Sequence, residues 1–174
     1  MVTIVVGTNR INSKSGKVAA FYNTRISMLG AESQILDLSE LPADFTASAL
    51  YHNSGKNEKF NQLRMEMEHA QKYIFMLPEY NNSYPGVFKA FIDGLSYPNA
   101  LLNKKCALVG ISDGTSGNAL GLSHITDVFN YLGMHVLPQK VRIPCMKKNF
   151  AEGVVTDDFI HNLIIAQVQC LLDF

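Results

Sequence analysis

The segment Gly7-Thr8-Asn9-Arg10-Ile11-Asn12-Ser13-Lys14-Ser15 places hydroxyls, amides and one guanidinium between an apolar run and an amphipathic one. If the amphipathic run is a helix, its first turn has free N–H groups and the positive end of a dipole, which favour an anion. Arg10 could add a charge-assisted contact, and Thr8, Ser13 and Ser15 could donate hydroxyls. A terminal phosphate monoester suits this loop. A dinucleotide fingerprint needs three glycines as G-x-G-x-x-G, and only Gly7 is present. A Walker A loop fails as well: Gly16-Lys17 is there, but the earlier glycine falls at Ile11 and Val18 follows the lysine. A plainer account is a helix capped by Ser13 or Ser15 beside a solvated Arg10; loop composition alone does not separate the two.

A second polar stretch, Pro78-Glu79-Tyr80-Asn81-Asn82-Ser83-Tyr84-Pro85-Gly86, follows the apolar run Tyr73 to Leu77. A loop at the carboxyl end of a buried strand can turn N–H and C=O groups toward the edge of a planar heterocycle. The plain alternative is a turn with one half-buried aromatic. Asn81-Asn82-Ser83 fits the N-glycosylation sequon, discounted here because no export signal precedes it. A third stretch, Ile111 to Asn118, holds Ser112, Gly114 and Gly117. Gly110-Ile111-Ser112-Asp113-Gly114 matches the G-x-S-x-G elbow of serine hydrolases, and Asp157 or Asp158 and His161 follow in hydrolase order. Against that reading, the elbow should enter a helix at once, whereas Gly114-Thr115-Ser116-Gly117 interposes a loop. Asp157, Asp158 and His161 also fall within about one helical turn, where acid and base ordinarily come from separate loops.

Three loops can meet only if the strands before them end on one edge of a sheet. Strand and helix patterns alternate along the chain, which predicts an α/β fold with a parallel sheet. Strands are expected over Val2–Gly7, Gln34–Leu38, Tyr73–Leu77, Cys106–Ile111 and Val136–Ile143. Helices are expected over Ser15–Met28, Lys56–Lys72, Pro85–Tyr97, Leu120–Leu132 and Asp157–Leu172. Gly30 and Gly133 should end two of them, and Thr156 should cap the last. Leu41–Gly55 reads as an irregular surface connection. Lys89 and Asp93 are an i,i+4 pair on the third expected helix, Pro85–Tyr97.

The 174 residues predict one domain, 1–174, with a sizeable core. Lys plus Arg equals Asp plus Glu, 15 each, which argues against a nucleic-acid surface and against an electrostatically steered carrier. No apolar run approaches the roughly 20 residues of a membrane span, and no basic leader precedes the first strand, so a cytoplasmic location is expected. Cys106, Cys145 and Cys170 are read as reduced thiols packed in the core, and no histidine spacing suggests a metal site.

The second stretch resembles the P-E-Y-N loop of the NADPH-dependent FMN reductases, a flavodoxin-like family. Pro78, Glu79, Tyr80, Asn81, Pro85, Gly86, Lys89, Asp93 and Ser96 fit that family's pattern, with Phe88 in place of Leu. The first loop is similar to its G-S-x-R-x-x-S-x-N pattern at Gly7, Arg10 and Ser13, with Thr8 substituting and Ser15 standing where Asn is usual. Ser112, Gly114 and Gly117 fit the third loop loosely. The resemblance implies a flavodoxin-like three-layer sandwich with a five-stranded parallel sheet in the order 2-1-3-4-5. It implies FMN held by Thr8, Arg10, Ser13 and Ser15 at the phosphate, and by Pro78, Glu79, Tyr80, Asn81 and Asn82 along the pyrimidine edge. Ser112, Gly114 and Gly117 would cover the other side. NADPH or NADH would deliver hydride to flavin N5, and a flavin, quinone, azo compound or metal would accept electrons. No side chain need act as acid or base, because the cofactor holds the chemistry. The resemblance also implies a homodimer or homotetramer, with Lys89 and Asp93 near an interface. A non-enzymatic flavin carrier or redox sensor is the alternative, and a serine hydrolase using Ser112 a further one.

Overall fold

In the computed structural model, which describes residues 1–174, the apolar runs form one parallel sheet. Its strands are β1 (Val2–Val6), β2 (Ser33–Asp37), β3 (Lys72–Pro78), β4 (Lys105–Ile111) and β5 (His135–Ile143), in the order β2-β1-β3-β4-β5. This is the flavodoxin-like order that the resemblance implied. The central strands are apolar throughout because helices cover both faces of the sheet. Side chains alternate between two cores: Tyr73, Phe75 and Leu77 of β3 point to one, Ile74 and Met76 to the other.

The first core packs β1, β3 and β4 against α3 (Glu58–His69), α4 (Gly86–Asp93) and α5 (Ala119–Tyr131). Its centre is aromatic, with Phe75, Phe88 and Phe129 in mutual contact. The second core packs the sheet against α1 (Lys14–Met28) and α7 (Asp158–Asp173). Between those two helices, the Tyr22 hydroxyl donates to Gln167 Oε1 at 3.1 Å. Gln167 Nε2 donates to the carbonyls of Leu108 (3.0 Å) and Gln139 (3.1 Å). The register of β4 against β5 slips between Cys106 and Leu108, and the fully buried Gln167 amide serves a strand carbonyl on each side of that slip.

Helix ends follow local chemistry. After α1 and after α5, Gly30 (φ 75°) and Gly133 (φ 74°) adopt left-handed backbone. Ala31 N–H then bonds Ile26 O and Met134 N–H bonds Phe129 O, the Schellman arrangement. Asn57 caps α3 through its side chain, so that helix starts at Glu58 rather than Lys56 and leaves Lys72 to β3. α4 stops at Asp93, earlier than Tyr97, with Gly94 as its C-cap. Thr156 does not cap α7. Asp157 does, accepting from Ile160 N–H at 2.9 Å, while the Thr156 hydroxyl donates to the Lys148 carbonyl. An aspartate at this position also meets the helix dipole with a charge that threonine lacks.

The segment expected to be irregular contains α2 (Phe45–Ser48), whose Phe45 stacks on Phe60. Two small elements had no sequence signal: α6 (Met146–Asn149), and a hairpin of β6 (Phe150–Ala151) with β7 (Val154–Val155). The cysteines do not all lie in the core: all three are free thiols, with Cys106 buried, Cys145 partly so and Cys170 exposed on α7. No helix is long and apolar enough to cross a membrane.

Candidate functional site

The loops after β1, β3 and β4 leave the same edge of the sheet and enclose a cavity of about 370 Å³. In open parallel sheets this carboxyl edge, where strand order reverses, is where ligands bind. Here the reversal lies at β1 and β3.

One end of the cavity is the first loop. The amides of Ile11, Asn12, Ser13, Lys14 and Ser15 donate to nothing in the chain. Ser13 Oγ accepts from Gly16 N–H at 3.0 Å and so caps α1, the plainer of its two possible roles, while its proton stays free for a ligand. Ser15 is buried, yet its hydroxyl makes no bond within the chain. Arg10 is exposed on the rim. Lys14 and Lys17, which no motif assigned to the phosphate, line the same end. Their signal was present: both stand in the first turn or so of α1, where a lysine opposes the helix dipole and needs an anion to offset it. Lys14 is paired with Asp113 of the third loop across the cavity mouth. Five free amides, a free buried hydroxyl and three cations together make an anion site.

The second loop forms a wall. Glu79 N–H continues the sheet by bonding Ile111 O at 2.8 Å. Tyr80 to Ser83 is a tight turn: Tyr80 N–H bonds Ser83 O at 2.8 Å, and Ser83 N–H bonds Tyr80 O at 3.1 Å. Its central residues have positive φ, Asn81 at 50° and Asn82 at 62°. This is the type I′ geometry, and asparagine tolerates it better than other non-glycine residues. The two central amides donate to nothing in the chain. Pro78, Glu79 and Tyr80 line the cavity, whereas Asn81 and Asn82 stand beyond its lining. The Tyr80 hydroxyl and Thr8 Oγ1 are 2.8 Å apart, so the second loop is tied to the first. On its outer side, Ser83 Oγ and His124 Nδ1 are 2.9 Å apart.

The third loop is folded around its own polar groups. Ser112 is buried; its Oγ donates to Gly114 O at 2.8 Å and accepts from Gly117 N–H at 2.9 Å. No histidine contacts it. Asp157 is spent on capping α7, and His161 packs edge-on against Phe21. The catalytic triad of the hydrolase reading is therefore not assembled. Ser112 lines the cavity; Gly114 and Gly117 do not. Gly117 (φ 60°) comes so close to β5 that a Cβ there would lie 2.7 Å from Arg142 Cβ, and a Cβ on Gly110 would lie 2.0 Å from Gly117 O. These glycines let the loop pack onto the sheet rather than touch a ligand. No group of His, Cys, Asp and Glu is placed to hold a metal ion.

The pattern of one protein family, NADPH-dependent FMN reductase, matches residues 1–146. The chain is 31% identical over 137 residues to an NAD(P)H-dependent FMN reductase of Pseudomonas aeruginosa, covering 74% of each. It is 28% identical over 144 residues to a 2-hydroxy-1,4-benzoquinone reductase of a Burkholderia species, covering 79% of this chain and 74% of that one. Among solved structures it superposes on FerB of Paracoccus denitrificans, a flavoenzyme NAD(P)H:(acceptor) oxidoreductase. The TM-score is 0.79 at 26% identity, over 99% of this chain and 94% of the other.

Proposed function

The chain belongs to the NADPH-dependent FMN reductase family. From that premise we propose an NAD(P)H-dependent oxidoreductase that holds FMN in the cavity between its three loops and reduces a small-molecule acceptor. The observation that carries this reading is the anion site beside the cavity: free amides from Ile11 to Ser15, flanked by Arg10, Lys14 and Lys17. These donors fit a phosphate monoester dianion, and the residues present therefore suit FMN. When bound, FMN would supply the two-electron chemistry that links NAD(P)H to a flavin, quinone, azo or metal acceptor.

The chain's own part is to bind, orient and insulate. Arg10, Ser13 and Ser15 hold the phosphate, with Thr8 fixed by Tyr80 behind them. Pro78 to Tyr80 would form the wall beside the ring, and the free amides of Asn81 and Asn82, just beyond the lining, would be donors toward its edge. Ser112 lines the opposite side from the third loop. No side chain is needed as acid or base: the Tyr80 phenol is bonded to Thr8, and the Ser112 hydroxyl is used twice within its loop. A homodimer or homotetramer is part of this proposal on the family resemblance alone, since the apolar side chains of α4, Phe88, Phe91 and Ile92, are spent on the first core.

The test is an absorption spectrum of the purified protein after FMN loading and desalting, then after anaerobic addition of NADPH or NADH. A retained flavin band that bleaches is expected. A retained band that does not bleach would leave a flavin carrier or sensor in place of an enzyme. In the same assay Arg10→Ala should weaken FMN binding by about tenfold, as expected for a lost charge-assisted contact. Turnover at saturating FMN should stay near wild type; unchanged FMN affinity would remove Arg10 from the phosphate site.

A further inference from the structure

Glu79 lines the cavity, where a carboxylate invites assignment to proton transfer or to a ligand contact. One of its two oxygens, Oε2, is otherwise engaged. Glu79 Oε2 accepts from Asn118 N–H at 3.0 Å and from the Ser116 hydroxyl. Asn118 is the residue before α5, held at φ 61°, and its own side chain provides no cap. Its Nδ2 donates instead to Leu77 O at 3.0 Å, two residues before Glu79. α5 therefore begins without a local cap, and a carboxylate from the second loop sits at its positive end. Asn118 N–H also donates to Ser116 Oγ at 3.1 Å, and both residues donate to the one carboxylate oxygen. On the far side, Arg142 Nη1 donates to Ser116 O at 3.3 Å.

We propose that Glu79 is a positioning residue: its carboxylate caps α5 from outside and fixes the third loop against the second, setting the width of the FMN cleft. Glu79 then acts on the cofactor only through Ser116 and Asn118. The inference rests on the FMN reading for its functional consequence, but the brace itself belongs to the chain without cofactor. Glutamine retains an acceptor oxygen at the same reach, and alanine has none. The two variants therefore separate bracing from acid–base chemistry.

Two measurements are made on wild type, Glu79→Gln and Glu79→Ala. The first is amide hydrogen exchange of residues 112–118 in the FMN-free protein. The second is FMN affinity by quenching of flavin fluorescence. In Glu79→Ala the Asn118 amide should lose protection, with other core amides unchanged, and the FMN dissociation constant should rise about tenfold. Glu79→Gln should restore most of both. The proposal is overturned if both variants keep Asn118 protection and FMN affinity, or if Glu79→Gln is as impaired as Glu79→Ala in both. A wild type that retains no FMN would sink the functional reading alone, because the exchange result is independent of cofactor.

Discussion

At the level of single residues, the site is a balance of charge around the first loop. Lys14 and Asp113 are both substantially exposed, 45% and 63%, so their ion pair adds little to stability. Its effect falls on the anion site, where Asp113 competes with a phosphate for the same ammonium. Opposite shifts are expected from removing either partner. Lys14→Met should raise the FMN dissociation constant about threefold, and Asp113→Asn should lower it by a similar factor. Titration at low and high ionic strength checks this, since both shifts should shrink as salt screens the charges. Thr8, Ser13 and Ser15 were all recognisable as hydroxyl donors in the sequence. Which of them is already bonded was not: Ser13 caps α1, Thr8 holds Tyr80, and Ser15 is free.

Among the elements, the sheet is locked to the helices of its second face by one buried amide. Gln167 serves the carbonyls of Leu108 and Gln139 and the hydroxyl of Tyr22; Leu108 and Tyr22 are fully buried and Gln139 half-buried. Gln167→Leu would keep the volume and remove this bond from two fully buried groups, the Leu108 carbonyl and the Tyr22 hydroxyl. The expected cost is about 2–4 kcal/mol in chemical denaturation, several times that of a surface glutamine. Nothing along the chain signals that β4 and β5 slip register beneath Gln167. The strands, by contrast, were legible from their β-branched and aromatic runs. Helix ends were legible where glycine must take positive φ, as at Gly30 and Gly133. They were misjudged where two candidate caps adjoin, as at Thr156 and Asp157.

For the molecule as a whole, buried ionisable groups make stability depend on alkaline pH. Burial pushes the Tyr22 phenol up, and it pushes Tyr73 up with help from nearby Cys106 and Glu68. Burial likewise raises the Cys106 thiol above its ordinary 9.0, a rise that Lys140 partly opposes. A raised value means the folded state keeps its proton when the unfolded chain has lost it. The stability these groups give is complete below their ordinary values and is lost as pH rises above them. Lys104 has the opposite sign: burial lowers its ammonium despite Glu68, so its penalty eases as pH rises toward 10.5. Three groups outweigh one, so the thermal midpoint should be level to about pH 8.5 and fall beyond about pH 9. Cys106→Ala should delay that fall toward the phenol value of 10.0, which a melting series across this range would reveal.

The alternation of apolar strands with amphipathic helices was enough to determine an α/β sheet, because burial on two faces forces continuous apolar runs into its central strands. The motifs determined which loops carry polar groups, but the tight turn at Asn81-Asn82, with its two successive positive φ values, stood there only as the plain alternative. Strand order needed the family resemblance, since periodicity says nothing of which strands are neighbours. Only the tertiary structure decided what each polar group does. Glu79 and Asn118 are 39 residues apart in the chain, and Lys14 and Asp113 are 99 apart. A hydrogen bond forms where donor and acceptor meet within about 3 Å. Such distances between remote residues are fixed by how strands pack and where their loops return, which no local pattern encodes.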